Sequence, residues 1–233
     1  MGTLRFRAAL TALLLASSAV PLATAQAASQ AQAQAQTQAQ TQAQTQNGNA
    51  ALVSQVASRL AQTKGVRAQF TQTQTLSAMK QPLVSTGTLV FFRERGVIWR
   101  VDTPYKAIYV ITDAGVSEVD ANGKRVKSKS AQGVRGVAQV SKMMRAMLGG
   151  DLSALYSQFD VDAQGTPSQW KLALKPNQPQ LAQSIKGLQM TGGEFLQSLR
   201  ITLANGDVTQ IEFTKSEAVD DLSSDERTLL GAQ

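Results

Sequence analysis

The chain has 233 residues, a formal net charge of +7, and neither histidine nor cysteine. Without histidine it lacks the usual general base at neutral pH and the commonest transition-metal ligand. Without cysteine it has no disulfide, no thiolate nucleophile and no zinc–thiolate site, so a histidine-dependent serine or cysteine hydrolase is excluded and the fold must rest on its core.

The N-terminus reads as a secretory signal peptide over residues 1–25. Arg5 and Arg7 form a basic start, Leu10 to Val20 is mostly apolar, Pro21 breaks the run, and Ala23-Thr24-Ala25 is a small-x-small cleavage signal. The apolar run is short for a membrane span. No cysteine follows it, so the exported chain cannot carry a lipid on an N-terminal cysteine and is expected to be soluble. Loss of Arg5 and Arg7 leaves +5, with basic residues scattered apart from Lys124–Lys129. They do not interleave with aromatics, which argues against nucleic acid as a partner.

Residues 26–49 are low in complexity. Every even position from Gln30 to Gln46 is Gln, and the odd positions between are Ala or Thr. Such a stretch cannot bury enough area to offset its ordering entropy, so a disordered linker is predicted, spanning roughly 25 Å as a coil. Residues 50–233 are expected to form one domain.

That domain opens on an amphipathic helix, with Leu52, Val53, Val56 and Leu60 at helical spacing and Gly65 as its stop. Strands follow: Val66 to Thr75, Leu83 to Arg93, Val97 to Asp102, Ala107 to Thr112 and Val116 to Asp120. Asn122-Gly123 signals a hairpin, and Lys124 to Lys129 returns from it. The period then switches. Val137, Val140, Met144, Met147 and Leu148 recur at helical spacing before Gly149-Gly150, and Asp151 is placed to cap a short helix through Leu152, Leu155 and Tyr156. Strands resume at Phe159–Asp162, Gln169–Lys175 and Ile185–Met190, then Phe195–Leu203. Asn205-Gly206 forms another hairpin into Val208–Thr214. An acidic tail ends in Leu229-Leu230, which is placed to dock on the sheet.

This order predicts an α+β fold: one strongly curved antiparallel sheet of roughly ten strands with helices on one side. Leu89-Val90-Phe91-Phe92 and Ile108-Tyr109-Val110-Ile111 are apolar on both faces, where a one-sided sheet would alternate. Three of the six methionines sit in Lys142–Leu148. Methionine repacks readily around variable apolar partners, so this helix reads as a movable lid over a greasy face. The expected lining of an apolar cavity under that lid is Phe70, Leu89, Phe91, Trp99, Ile108, Val110, Met144, Met147 and Leu148.

Paired carboxylates occur at Glu118/Asp120, Asp160/Asp162 and Asp220/Asp221. All lie at strand ends beside turns, where carboxylates are normally solvated. With no G-x-S-x-G and no phosphate loop, neither catalysis, a cofactor nor a metal is expected.

The chain resembles the periplasmic lipoprotein carrier family, LolA and its relatives. The resemblance is carried by Phe70-Thr71-Gln72 after an amphipathic helix, Gly87-Thr88-Leu89 opening a strand, Arg93, Trp99 five residues before Pro104, and Ile111-Thr112-Asp113. It covers about residues 50–214. It implies an unclosed β-barrel with helices as a lid over an apolar cavity, and a periplasmic, monomeric chaperone for acylated lipoproteins. The implied partners are an inner-membrane ABC transporter that releases cargo and an outer-membrane receptor that accepts it. It also implies a lid latch, an arginine that hydrogen-bonds lid backbone. Arg93 matches that position, and Arg95 is a rival because Arg93-Glu94-Arg95-Gly96 stands where the family more often has Arg-Pro. The alternatives are an envelope sensor on the same scaffold, detecting lipids or lipoproteins without moving them, and an exported structural protein with an ordinary filled core.

Overall fold

The computed structural model describes residues 49–112, 115–120, 124–127 and 155–231. A helix, α1, occupies residues 49–60. It buries Val53, Val56, Ala57 and Leu60 and leaves Ser54, Gln55, Ser58 and Arg59 exposed, as its spacing indicates. Gly65 does not stop this helix. It opens the first strand, where an added Cβ would lie 2.6 Å from the Phe91 carbonyl oxygen.

Among the described residues eleven strands form one sheet. They are β1 (Gly65–Thr75), β2 (Leu83–Phe92), β3 (Gly96–Thr103), β4 (Ala107–Thr112), β5 (Gly115–Val119), β6 (Arg125–Lys127), β7 (Phe159–Thr166), β8 (Gln169–Pro176), β9 (Ile185–Gly192), β10 (Leu196–Leu203) and β11 (Val208–Val219). Every neighbouring pair is antiparallel. The order β6-β5-β4-β3-β2-β1-β11-β10-β9-β8-β7 starts the chain in the middle of the sheet. The chain steps outward to β6, and later steps from β7 back to β11, which pairs with β1. β6 and β7 remain as edges, so the sheet does not close into a barrel. The predicted signal peptide, the Gln-rich stretch, the Asn122-Gly123 hairpin and the Met-bearing helix lie outside the described residues.

Three details depart from the sequence pattern. The connection between the predicted strands Gln169–Lys175 and Ile185–Met190 contains a one-turn helix, α2 (Pro179–Ala182). On β10 a register shift between Leu196 and Ser198 puts Leu196 and Leu199 on the same face despite their odd spacing. β11 runs on to Val219 through residues expected in the tail. Between Arg67 and Gln69 on β1 it uses one extra residue, and Lys215 takes φ +50° there. A β-bulge of this kind re-aims the strand without ending it.

Helices cover both faces, not one. On the first face α1 joins the large core. On the other a C-terminal helix, α3 (Ser224–Leu230), lies over β2–β4, where Leu222 and Leu230 pack with Val90, Ile98 and Val110. This is why β2–β4 are apolar on both faces: each face has its own cover. The docking expected of Leu229-Leu230 is thereby realised, with Leu230 buried and Leu229 half-buried.

α3 is pinned at its start. Glu226 closes a capping box, accepting from the Ser223 N–H at 2.8 Å while its own N–H donates to Ser223 Oγ at 3.3 Å. Its carboxylate also accepts from Arg67 Nη2 at 2.8 and 3.1 Å, and Arg67 Nη1 donates to Glu217 at 3.2 Å. Burial raises the Glu226 pKa, but the Arg67 and Ser223 hydrogen bonds outweigh it and hold the group below its ordinary 4.5. A lowered carboxylate pKa gives stability that is present above the unfolded value and lost as pH falls through the folded one. Glu226→Gln is therefore expected to cost up to about 1 kcal/mol at pH 7, since Arg67 is partly exposed. It should also flatten the fall in stability below about pH 4.5, as read by urea unfolding at several pH values.

Candidate functional site: the apolar face under the first helix

The larger core lies on the α1 face. Among the described residues it draws mainly on strand side chains, joined by Val53, Val56 and Leu60 of α1 and by Leu155. Its centre is a cross-strand group. Phe70 on β1 stands opposite Gly87 on β2, and Leu89 on β2 stands opposite Trp99 on β3. The Phe70 and Trp99 rings meet at a centroid distance of 4.0 Å, and Phe213 of β11 meets Trp99 edge-on at 6.5 Å. Gly87 is required here: a Cβ would lie 1.9 Å from the Arg100 carbonyl oxygen and 2.9 Å from Phe70 Cζ. The short motifs at Phe70, Gly87-Thr88-Leu89 and Trp99, far apart in the chain, therefore meet at one place.

A second aromatic post stands on the other half of the sheet. Trp170 is buried on β8, and its indole N–H donates to the Gly193 carbonyl at 3.0 Å. Gly192 leaves room for the ring, since a Cβ there would fall 2.3 Å from Trp170 Cζ2. Leu172, Leu188, Met190, Leu199 and Ile211 bridge the two posts in one apolar floor.

Of the predicted lining residues, Phe70, Leu89, Phe91 and Trp99 share this face and are at most 4% exposed. Ile108 and Val110 do not share it. They lie with Val90 and Ile98 under α3, and their places on the α1 face are taken by Tyr109, opposite Trp99, and Ile111, opposite Val97. The side-chain period of a strand is two, so a choice one residue out of phase moves the whole set to the other face. Because β4 is apolar on both faces, its sequence carries no phase. Met144, Met147 and Leu148 lie outside the described residues. Phe213 and Ile211 were missed, although the alternation around Ile211-Glu212-Phe213 held the signal.

Arg93 sits in the β2–β3 turn and grips the end of α1. Its Nη2 donates to the carbonyls of Ala61 and Thr63, the latter at 2.8 Å, and its backbone N–H donates to the Lys64 carbonyl at 2.9 Å. A helix leaves its last carbonyls unsatisfied, and a guanidinium presents several donors in a rigid fork to meet them. The Arg93 Nε is buried and has no hydrogen-bond acceptor among the described residues. Arg95 is exposed. The arginine thus fastens backbone at the end of a helix that lies on the apolar face.

The carboxylate pairs do not converge. Asp120 accepts from the Lys124 N–H at 2.9 Å. Asp162 accepts from Asn49 and Gln164, and Asp221 pairs with Arg227 at 3.2 Å. Among the described residues no three metal-ligating side chains come together, and no helix is long and apolar enough to cross a membrane.

An open antiparallel sheet with a helix over a continuous apolar face defines the class as α+β, with a single sheet that is not closed into a barrel. Residues 45–220 match the family described as outer membrane lipoprotein carrier protein LolA-like, and the chain belongs to that family. No curated protein sequence matches it. Among solved structures, a LolA-superfamily protein of Nitrosomonas europaea is similar, at 6% identity and a TM-score of 0.41, over 72% of this chain and 93% of that one. The MucA/MucB complex of Pseudomonas aeruginosa gives 14% identity and a TM-score of 0.42, over 76% of this chain and 60% of that one. LprF from Mycobacterium bovis gives 13% and 0.35, over 75% and 97%. At these scores the structures add nothing to the assignment, which the family match carries.

Proposed function

We propose that the protein is a periplasmic carrier that takes up the acyl chains of lipoproteins, or of a related acylated lipid, on its α1 face and moves them from the inner to the outer membrane. The observation that supports this reading is that, among the described residues, one apolar face runs across the sheet from the Phe70–Trp99 pair to Trp170, with α1 on it and Arg93 at the end of that helix. Binding would need no catalytic group, since burying acyl chain contributes about 0.8 kcal/mol per CH₂. The near-complete burial of Phe70, Leu89, Phe91 and Trp99 is then a closed state, and a chain enters only when α1 moves. Arg93, holding the end of α1, is the group that sets this motion, as a lid latch. Export by the N-terminal signal, an inner-membrane ABC transporter as donor and an outer-membrane receptor as acceptor complete the proposed route. The protein acts as a monomer and is not an enzyme.

The test is uptake of a fluorescent acyl-chain probe by the purified protein, with mass spectrometry of whatever co-purifies from the periplasm. We expect saturable binding that a lipidated peptide displaces. A protein with an ordinary filled core would take up no probe. Depletion in cells separates carrier from sensor: loss of a carrier strands acylated cargo at the inner membrane, whereas loss of a sensor changes signalling alone.

A further inference from the structure

Apolar side chains are exposed together at one end of the sheet. Tyr105 is 81% exposed, Val84 51%, Met79 48% and Leu83 46%. They come from two adjacent places. Met79 is in the β1–β2 connection, with Leu83 and Val84 just beyond it, and Tyr105 is in the β3–β4 connection. β2 pairs with β1 from Leu83 onward, but its pairing with β3 begins only at Thr86, opposite Thr103. Leu83 to Ser85 thus overhang the β3 ladder, and the turn bearing Tyr105 follows directly on Thr103. These apolar groups sit on turns and on an overhang, where contact with another phase disturbs no internal strand pairing.

The connections are also basic. Residues 76–82 and 104–106 contain Lys80 and Lys106 and no carboxylate. The nearest acidic groups by position are Asp102 on β3 and Asp207 in the β10–β11 turn. Asp207 is occupied: it accepts from the Ser77 N–H at 2.7 Å and from its hydroxyl at 2.9 Å, which ties the β1–β2 connection to the next hairpin. Lys124 and Asp120 close the β5–β6 connection at the same end. The rim is therefore held in place, and its tip presents Met, Leu, Val and Tyr flanked by two lysines. Aliphatic groups enter the acyl boundary of a bilayer, tyrosine prefers the headgroup level, and lysine reaches anionic phosphates while its stem lies on apolar surface.

We propose that this rim is a docking surface for an anionic lipid bilayer, contacted by Met79, Leu83, Val84 and Tyr105, with Lys80 and Lys106 paired to lipid phosphates. The surface is separate from the apolar face under α1, and its use does not depend on acyl cargo.

Because the chain has no cysteine, a single one can be placed and labelled with an environment-sensitive fluorophore. Tyr105→Cys and Met79→Cys report on the rim. Glu94→Cys, exposed in the β2–β3 turn, reports on the opposite end of the sheet, about 30 Å away at the rise of an extended strand. With vesicles of phosphatidylglycerol and phosphatidylethanolamine, we expect blue-shifted emission at 79 and 105 and none at 94. Lys80→Gln and Lys106→Gln should each weaken vesicle binding about fivefold at low salt. No emission change at 79 and 105 overturns the proposal, as does an equal change at 94. Equal binding to neutral phosphatidylcholine vesicles, unaffected by either lysine substitution, overturns the choice of an anionic surface. A lysolipid monomer below its micelle concentration separates the two sites: it should enter the α1 face without shifting the rim labels.

Discussion

Replacing Trp99 with alanine is expected to cost about 3–5 kcal/mol, the range for deleting a large buried aromatic. The indole is 3% exposed and lies against Phe70, Phe213 and the β2 partner Leu89, so its removal opens a void shared by three strands in the middle of the sheet. Backbone cannot collapse into that void easily, because Phe70 is already seated on Gly87 with no spare room. A domain of this size loses about 2–4 °C of Tm per kcal/mol, so the midpoint should fall by roughly 6–20 °C. Thermal unfolding followed by circular dichroism measures this, since the remaining Trp170 reports only the other half of the sheet. A loss below about 1 kcal/mol would mean that the aromatic group is not a pillar of the core.

Arg93→Leu should act on motion more than on stability. The substitution takes the donors away from the Ala61 and Thr63 carbonyls, while the Arg93 backbone bond to Lys64 remains possible. A hydrogen bond to a charged group contributes about 1.5–3 kcal/mol, so local opening of α1 should become roughly 10- to 100-fold more frequent. The global cost is smaller, because the same change removes a buried Nε that has no acceptor among the described residues. Amide hydrogen exchange should rise across residues 53–60 and stay level in β8–β10. If α1 gates the apolar face, an acyl probe should also enter and leave faster. Unchanged exchange in α1 together with unchanged probe kinetics would rule Arg93 out as the latch, and the rival Arg95, exposed in the same turn, would be tested next.

Much of this structure is legible in the chain. Pro104 and Lys106 mark off Ala107–Thr112, and β4 has those bounds. Val53, Val56 and Leu60 share one side of a 3.6-residue period, and that side of α1 is the one buried. Trp170, Leu172 and Leu174 alternate with Lys171, the small Ala173 and Lys175, which assigns β8 both its period and its phase. Where one face is apolar and the other polar, the pattern alone says which face turns inward.

The rest needed the tertiary structure, for physical reasons that differ from place to place. Ile108 and Val110 look no different from Tyr109 and Ile111 in a strand that is apolar throughout, and only the neighbours across the β3 ladder decide that the first pair lies under α3 and the second under α1. Lys215-Ser216-Glu217 carries no apolar period, because that part of β11 is held by backbone pairing to β1 and by Arg67 rather than by burial. The same arginine selects the position of Glu226 from 159 residues away, a distance over which no local pattern carries information. Composition determined that this protein would work without thiol or imidazole chemistry, and periodicity determined a long antiparallel sheet behind an amphipathic helix. Which side of that sheet each helix covers, and that Arg93 closes on the end of α1, were decided only in three dimensions, because both depend on partners that the chain brings together from distant strands.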